Sequence, residues 1–282
     1  MIDVLIPTRN RPVELATTLA GLAAQDEPFD VVVSDQSDGA ASFETPSAAA
    51  MARVLRTQGR RVELLRHVPR RGLAEQRQFL LDRSGAEYVL FLDDDVWLTP
   101  GVVTRLRTAI ETLRCGLVGA AVQGLSYLDD ERPHQTESYE EWPGPPEPEH
   151  VRPDTPAWGR ASLHLAANLC HIERRLALGR GEWRAYKIAW VGGCVLLDRA
   201  KLVDCGGFDF WRALPVEHVG EDVAAQLRVM ARYGGAGIVP SGAVHLEAPT
   251  TMPVRDVDAP LVLPRTQLYP PPVTGIRAGG GP

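Results

Sequence analysis

The chain has 282 residues, 44% of them hydrophobic, which suits one large α/β domain or two small ones around a substantial core. Its formal net charge of −6 argues against a protein that binds nucleic acid mainly by neutralising phosphates. The four cysteines, Cys115, Cys170, Cys194 and Cys205, form no C-x-x-C pair, so they read as ordinary thiols in a reducing compartment rather than a disulfide frame or zinc site.

The opening MIDVLIPTRN lacks a basic stretch followed by an apolar one and does not read as a signal peptide. No apolar run approaches the roughly 20 residues that span a bilayer. The expectation is a cytoplasmic protein, with contact at the inner membrane face left open. Ile2–Pro7 is a short apolar run, the mark of a buried strand. Leu15, Leu19 and Leu22 then share one helix face, with Asn10 and Pro12 as cap and first-turn residues. Strands are expected at Phe29–Asp35, at Arg61–Val68 and in EYVLFLDDD. Helices are expected at Ser47–Gly59, Leu73–Gly85 and Pro100–Leu113, and GLVGAAVQG reads as one more strand. Such alternation with short connections predicts a largely parallel, doubly wound sheet with flanking helices over residues 1–125.

The pattern stops at residues 126–160, an acidic, Pro-rich loop or insertion that includes EEWPGPPEPEH. Residues 161–248 form a second, smaller region. It contains a helix over Ser162–Gly179, a strand over Ala189–Arg199, a helix in EDVAAQLRVMARYGG and one or two strands in AGIVPSGAVHLEAP. Residues 249–282 read as a Pro/Gly-rich tail without a core pattern.

Three consecutive aspartates, Asp93, Asp94 and Asp95, end the apolar run Tyr88–Leu92. On a strand, Asp93 and Asp95 would point one way and Asp94 the other. Strand carboxyl ends in a parallel sheet open onto the ligand crevice, where Asp-x-Asp suits a hard cation such as Mg²⁺ or Mn²⁺. The competing reading is a solvated loop with one aspartate capping the next helix.

Several segments, taken in order, resemble the family 2 glycosyltransferases. VLIPTRNRPVELATTLAGLAAQ resembles that family's opening strand and helix, and VVVSDQSDG its V-V-D-D-G-S segment with Ser34 as a departure. RRGLAEQRQ is similar to N-x-G-x-x-x-A-R-N, keeping Gly72 and Arg77 but neither asparagine. YVLFLDDD resembles the metal-binding strand, WVGGCVLLDRAKLVDCGGFD the later Gly-Gly to Gly-Gly-Phe-Asp segment, and GEDVAAQLRV the G-E-D helix start. Together these cover roughly residues 2–125 and 188–246.

The resemblance implies a GT-A fold and an inverting, metal-dependent transfer of a sugar from a nucleoside diphosphate, UDP- or GDP-linked. The acceptor hydroxyl would belong to a glycan, a lipid-linked molecule or a small molecule. It also implies Mn²⁺ or Mg²⁺ on Asp95, with Asp93 and His245 as further ligands. Pro7, Thr8, Arg9, Asp35, Gly72, Arg77, Asp93, Asp94 and Gly193 are expected around the nucleotide and donor sugar. Asp222, beside Glu221, is expected as the base that takes the acceptor's proton. Trp211 is a candidate for stacking on the acceptor.

Each residue also has a plainer reading: Asp35 in a turn, Arg77 on a helix surface, Glu221 and Asp222 complementing a helix dipole, His245 structural, Trp211 in the core. The basic stretch HIERRLALGRGEWRAYK reads as a solvated helix and loop, with contact to anionic lipid as the alternative. Two other functions compete. A nucleotidyltransferase would want a glycine-rich basic loop after the first strand, which IPTRNRP lacks. A non-catalytic nucleotide-sugar-binding protein would use the acidic loop Asp129–Thr155 for a partner. No G-x-G-x-x-G follows a strand, which disfavours a dehydrogenase.

Overall fold

The structure, a computed structural model, describes residues 1–269. Its strands in chain order are β1 (Ile2–Thr8), β2 (Asp30–Asp35), β3 (Val62–Arg66), β4 (Tyr88–Leu92), β5 (Val96–Leu98), β6 (Leu117–Gly119), β7 (Arg184–Tyr186), β8 (Cys194–Asp198), β9 (Gly235–Val239) and β10 (Ala243–His245). The large sheet has the order β3-β2-β1-β4-β8-β6-β9-β7, while β5 and β10 pair in a small second sheet. β8 runs antiparallel to β4 and β6, and edge strand β7 is antiparallel to β9. The other strands of the large sheet run one way, so the expected mixed α/β architecture with a mostly parallel sheet is present.

Side-chain alternation along the strands buries both faces. Val4, Ile6, Val33, Leu90 and Leu92 pack on one side with the helices Pro12–Ala23, Pro46–Thr57 and Val102–Leu113. Leu5, Val32, Val89 and Phe91 pack on the other with Leu73–Arg83, Asn168–Leu176 and Glu221–Tyr233.

Several local expectations need correction. Arg11, not Asn10, precedes the first helix, because Asn10 turns through φ 57° and binds Asp38 instead. The helix expected over Ser162–Gly179 is broken at Ala166, where φ is 53°; a 3-10 helix Pro156–His164 precedes the break and Asn168–Leu176 follows it. The strand expected over Ala189–Arg199 begins only at Cys194, since Gly193 has φ 77°. Within residues 126–160, Glu140–Trp142 lie against the sheet edge, where Trp142 N donates to Ala185 O and Lys187 N to Glu140 O.

The tail reading is wrong for its described part. Ala259, Leu263 and Leu268 are buried, and Arg228 Nε donates to Gln267 O, which binds this segment to the helix Glu221–Tyr233. The rest of that stretch, residues 270–282, lies outside the described residues. Among the described residues, no helix is long and apolar enough to cross a membrane.

Candidate active site

A cavity opens at the carboxyl ends of β1 and β4. Its wall includes Pro7, Thr8, Arg9, Arg11, Arg70, Arg77, Asp93, Asp94, Asp95 and His245, with Thr250, Thr251 and Met252 closing one side. Parallel strands direct their carboxyl ends here, and Gly193, just before antiparallel β8, holds the acid triplet through its carbonyl, which accepts from Asp93 N.

The aspartates do not alternate as strand residues. β4 ends at Leu92 and the triplet turns into β5, so the period of two no longer applies. The turn is pinned by Thr18, whose hydroxyl donates to the Asp94 carbonyl at 2.7 Å and accepts from Val96 N at 3.2 Å. As a result Asp94 and Asp95 share one cation, while Asp93 pairs elsewhere. Arg11 Nη1 donates to Asp94 Oδ1 at 3.1 Å and to Asp95 Oδ2 at 2.5 Å. Thr8 Oγ1 donates to Asp94 Oδ2 at 2.6 Å, which occupies the second Asp94 oxygen. Asp93 Oδ1 instead accepts from Arg77 Nη2 at 2.9 Å.

These environments separate the carboxyls electrostatically. Burial pushes Asp94 up to about 7, against the pull of Thr8 and Arg11. Burial also raises Asp95, but His245 and Arg11 outweigh it and hold Asp95 below its ordinary value. His245, on β10, lies 3.4 Å from Asp95 Oδ2, and that carboxylate raises the imidazole against the effect of burial. Its Nδ1 accepts from Glu247 N at 3.0 Å. The neutral ring therefore carries its proton on Nε2, facing Asp95, so a metal ligand at Nε2 needs that bond to Glu247 to open.

Arg77 joins this cavity to a second one. Its Nε donates to Glu221 Oε1 at 2.8 Å while Nη2 holds Asp93. Burial works against its charge, but Asp93, Glu221 and Asp222 outweigh that and keep it protonated. The surface-helix reading of Arg77 fails, since its side chain is only 5% exposed. The second cavity is narrow and mostly apolar, with Arg77, Asp93, Gly193, Phe91 and Asp222 in its wall. There burial and the neighbouring Glu221 raise the Asp222 carboxyl, with Arg77 opposing.

Three expected site residues lie elsewhere. Asp35 is fully buried, and its oxygens accept from Ser37 N at 2.6 Å and Ser42 N at 2.5 Å, so it holds a turn and lies outside the wall of either cavity. Gly72 precedes its helix with φ 103°, where a Cβ would come within 2.6 Å of His218; it serves packing and a turn, outside the cavity wall. Trp211 packs on the second core cluster, with the Arg212 guanidinium 4.7 Å above its ring, and lies in the wall of neither cavity.

Sequence reasoning missed Arg11 and gave Arg70 no role. Arg70 lines the first cavity and forms a forked pair with Glu217. Only the run of basic residues in TRNRP hinted at Arg11; nothing in its spacing signalled a partner more than 80 residues away.

Two carboxylate oxygens, Asp93 Oδ2 and Asp95 Oδ1, accept no hydrogen bond from the described residues. They are hard donors at one cavity, which fits a divalent cation completed by substrate oxygens. A cage made by the protein alone is absent: among the described residues no group of three or more His, Cys, Asp or Glu side chains is arranged to hold a metal.

The model of the family described as Glycosyl transferase family 2 matches residues 3–175. The succinoglycan biosynthesis protein ExoM of Rhizobium meliloti (strain 1021) is 35% identical over 117 residues, which is 40% of this chain and 35% of ExoM. Among solved structures, the mannosyltransferase PcManGT from Pyrobaculum calidifontis, in complex with GDP-Man and Mn²⁺, aligns with a TM-score of 0.54 at 18% identity, covering 89% of this chain and 58% of that one. S. aureus TarS 1-349 in complex with UDP-GlcNAc aligns with a TM-score of 0.52 at 16% identity, covering 89% and 60%. The match thus spans about a third of the curated relative and under two thirds of these structures. At such identities the structural likeness establishes the fold, which is GT-A.

Proposed function

The chain belongs to glycosyl transferase family 2, and on that premise we propose that it moves a sugar from a nucleoside-diphosphate donor to an acceptor hydroxyl with inversion. One observation carries the reading: Arg77 holds Asp93 on the donor side and Glu221, next to Asp222, on the other, and lines both cavities.

Arg9, Arg11 and Arg70 line the donor cavity, paired with Asp38, with Asp94 and Asp95, and with Glu217; their guanidinium groups would hold the diphosphate by exchanging these carboxylates for phosphate oxygens. Asp93 and Asp95 would hold Mn²⁺ or Mg²⁺ through their unpartnered oxygens. Bound there, a divalent cation supplies Lewis-acid stabilisation of the charge that develops on the leaving group. The related mannosyltransferase solved with GDP-Man and Mn²⁺ supports that choice. Asp222 takes the proton of the acceptor hydroxyl as its oxygen attacks the anomeric carbon and the bond to the diphosphate breaks. Its raised pKa suits a base working near neutral pH. Arg77 fixes Asp93 and Glu221 around that reaction centre.

Isothermal titration with UDP and GDP, with and without Mn²⁺, tests the donor half. Binding strengthened by Mn²⁺ is expected, and no binding of either nucleotide overturns it. Asp222→Asn should keep nucleotide affinity and lose transfer; surviving transfer removes Asp222 as the base.

A further inference from the structure

A third cavity, of about 440 Å³, lies outside the residues assigned so far. Two tryptophans form its corner. Trp158, on the 3-10 helix Pro156–His164, and Trp190, in the turn before β8, have ring centroids 4.5 Å apart with planes inclined at 52°. Both are only partly buried. The remaining wall includes Gly192, His164 and Leu165, the last 48% exposed. Among the described residues, no Lys, Arg, Asp or Glu contributes to it. Burial lowers His164 to about 4, so that ring is neutral. The cleft is therefore aromatic, open and uncharged, in contrast to the acid- and arginine-lined cavity.

Its wall also adjoins the walls of the other two cavities. Val122, His164 and Leu165 are shared with a shallow hollow that reaches His245, which in turn lines the first cavity. On the other side, Gly192 lines the cleft while its neighbour Gly193 lines the cavity of Asp222. A Cβ on Gly192 would meet nothing within 4 Å, so the backbone there borders open space.

We propose that the Trp158–Trp190 cleft is the acceptor subsite and seats pyranose rings of a neutral glycan, stacked by their apolar faces on the indoles, with the terminal hydroxyl directed along Gly192–Gly193 to Asp222. Indole rings offer a broad apolar face with little rotamer freedom to lose, which suits the C–H face of a sugar ring. The absence of charge disfavours a phosphate-bearing group in the cleft itself. The word acceptor rests on the sugar-transfer reading above; the cleft's affinity for carbohydrate does not.

The test is binding of the full chain to an array of neutral di- to hexasaccharides, beside calorimetry with UDP and GDP. Wild-type protein should retain a subset of the glycans. Trp158→Ala and Trp190→Ala should each weaken that binding by about tenfold, with Trp190→Phe recovering part of it. Gly192→Val adds bulk from a position whose Cβ meets nothing within 4 Å and should weaken binding of the same glycans. Unchanged nucleoside-diphosphate affinity in Trp158→Ala serves as the folding control. Glycan binding by the Trp→Ala variants equal to wild type, or no glycan retained by wild type, overturns the proposal. Glycan capture through the tryptophans without nucleotide binding upholds a carbohydrate cleft and removes the transfer reading.

Discussion

Arg11 Nη1 lies 3.1 Å from Asp94 Oδ1, and the two side chains are only 11% and 8% exposed. The same nitrogen contacts Asp95, so the mutual repulsion of these acids is offset by an arginine of the chain itself. That nitrogen sits where a bound cation would also be drawn. Arg11→Gln should lower the stability of the metal-free protein by about 3 kcal/mol or more, the scale of removing one partner of a buried pair. Added Mn²⁺ should then raise the melting temperature more in the variant than in wild type. Equal Mn²⁺ responses in a thermal-shift titration would show that Arg11 and the metal do not share the site.

Asp94 gives the protein a defined pH response. Its folded pKa of about 7 lies above the ordinary carboxyl value of about 4. The folded state therefore holds this proton more tightly than the unfolded state. The resulting stability is fully present below pH about 4 and is lost as the pH rises through about 7. Asp94→Asn removes the titration. The stability of wild type minus that of the variant should fall across this window, read from melting temperatures at a series of pH values. A flat difference curve would falsify the assignment.

Arg77 uses two different nitrogens for two carboxylates, Nε for Glu221 and Nη2 for Asp93. A lysine offers one ammonium in place of that fork. Arg77→Lys should therefore fold and bind nucleotide but lose most turnover, on the order of a hundredfold, as a misplaced reaction centre does. Arg77→Ala should cost about 3–5 kcal/mol, since Glu221 would be left buried without its partner. Denaturant melts and nucleotide-release rates separate the two effects.

Asp35 provides the opposite control. Both its oxygens accept backbone N–H groups within the turn after β2. In Asp35→Asn, one acceptor becomes an NH₂ facing an N–H donor. A lower melting temperature is expected, by about 1–3 kcal/mol in stability, with the preference between UDP and GDP unchanged. A changed preference would restore Asp35 to the nucleotide site.

What could be read along the chain was what depends on neighbours in sequence. The apolar run Tyr88–Leu92 gave β4, and Leu15, Leu19 and Leu22 gave the first helix face, because both follow from fixed backbone periods. The order of the motifs carried the fold class. Turns were harder: Asn10, Ala166 and Gly193 each take a positive φ, and each displaced an expected boundary or cap.

The sequence by itself determined the doubly wound sheet and put an acid triplet at the end of one of its strands. Tertiary structure alone decided the partners: Arg11 for Asp94 and Asp95, Arg77 for Asp93 and Glu221, Ser37 and Ser42 for Asp35. It also set Trp158 against Trp190 and left Trp211 packed elsewhere. The reason is physical. Periodicity is a property of the backbone and repeats along the chain, whereas a carboxylate's counter-charge or an indole's neighbour is chosen in space once the sheet has closed.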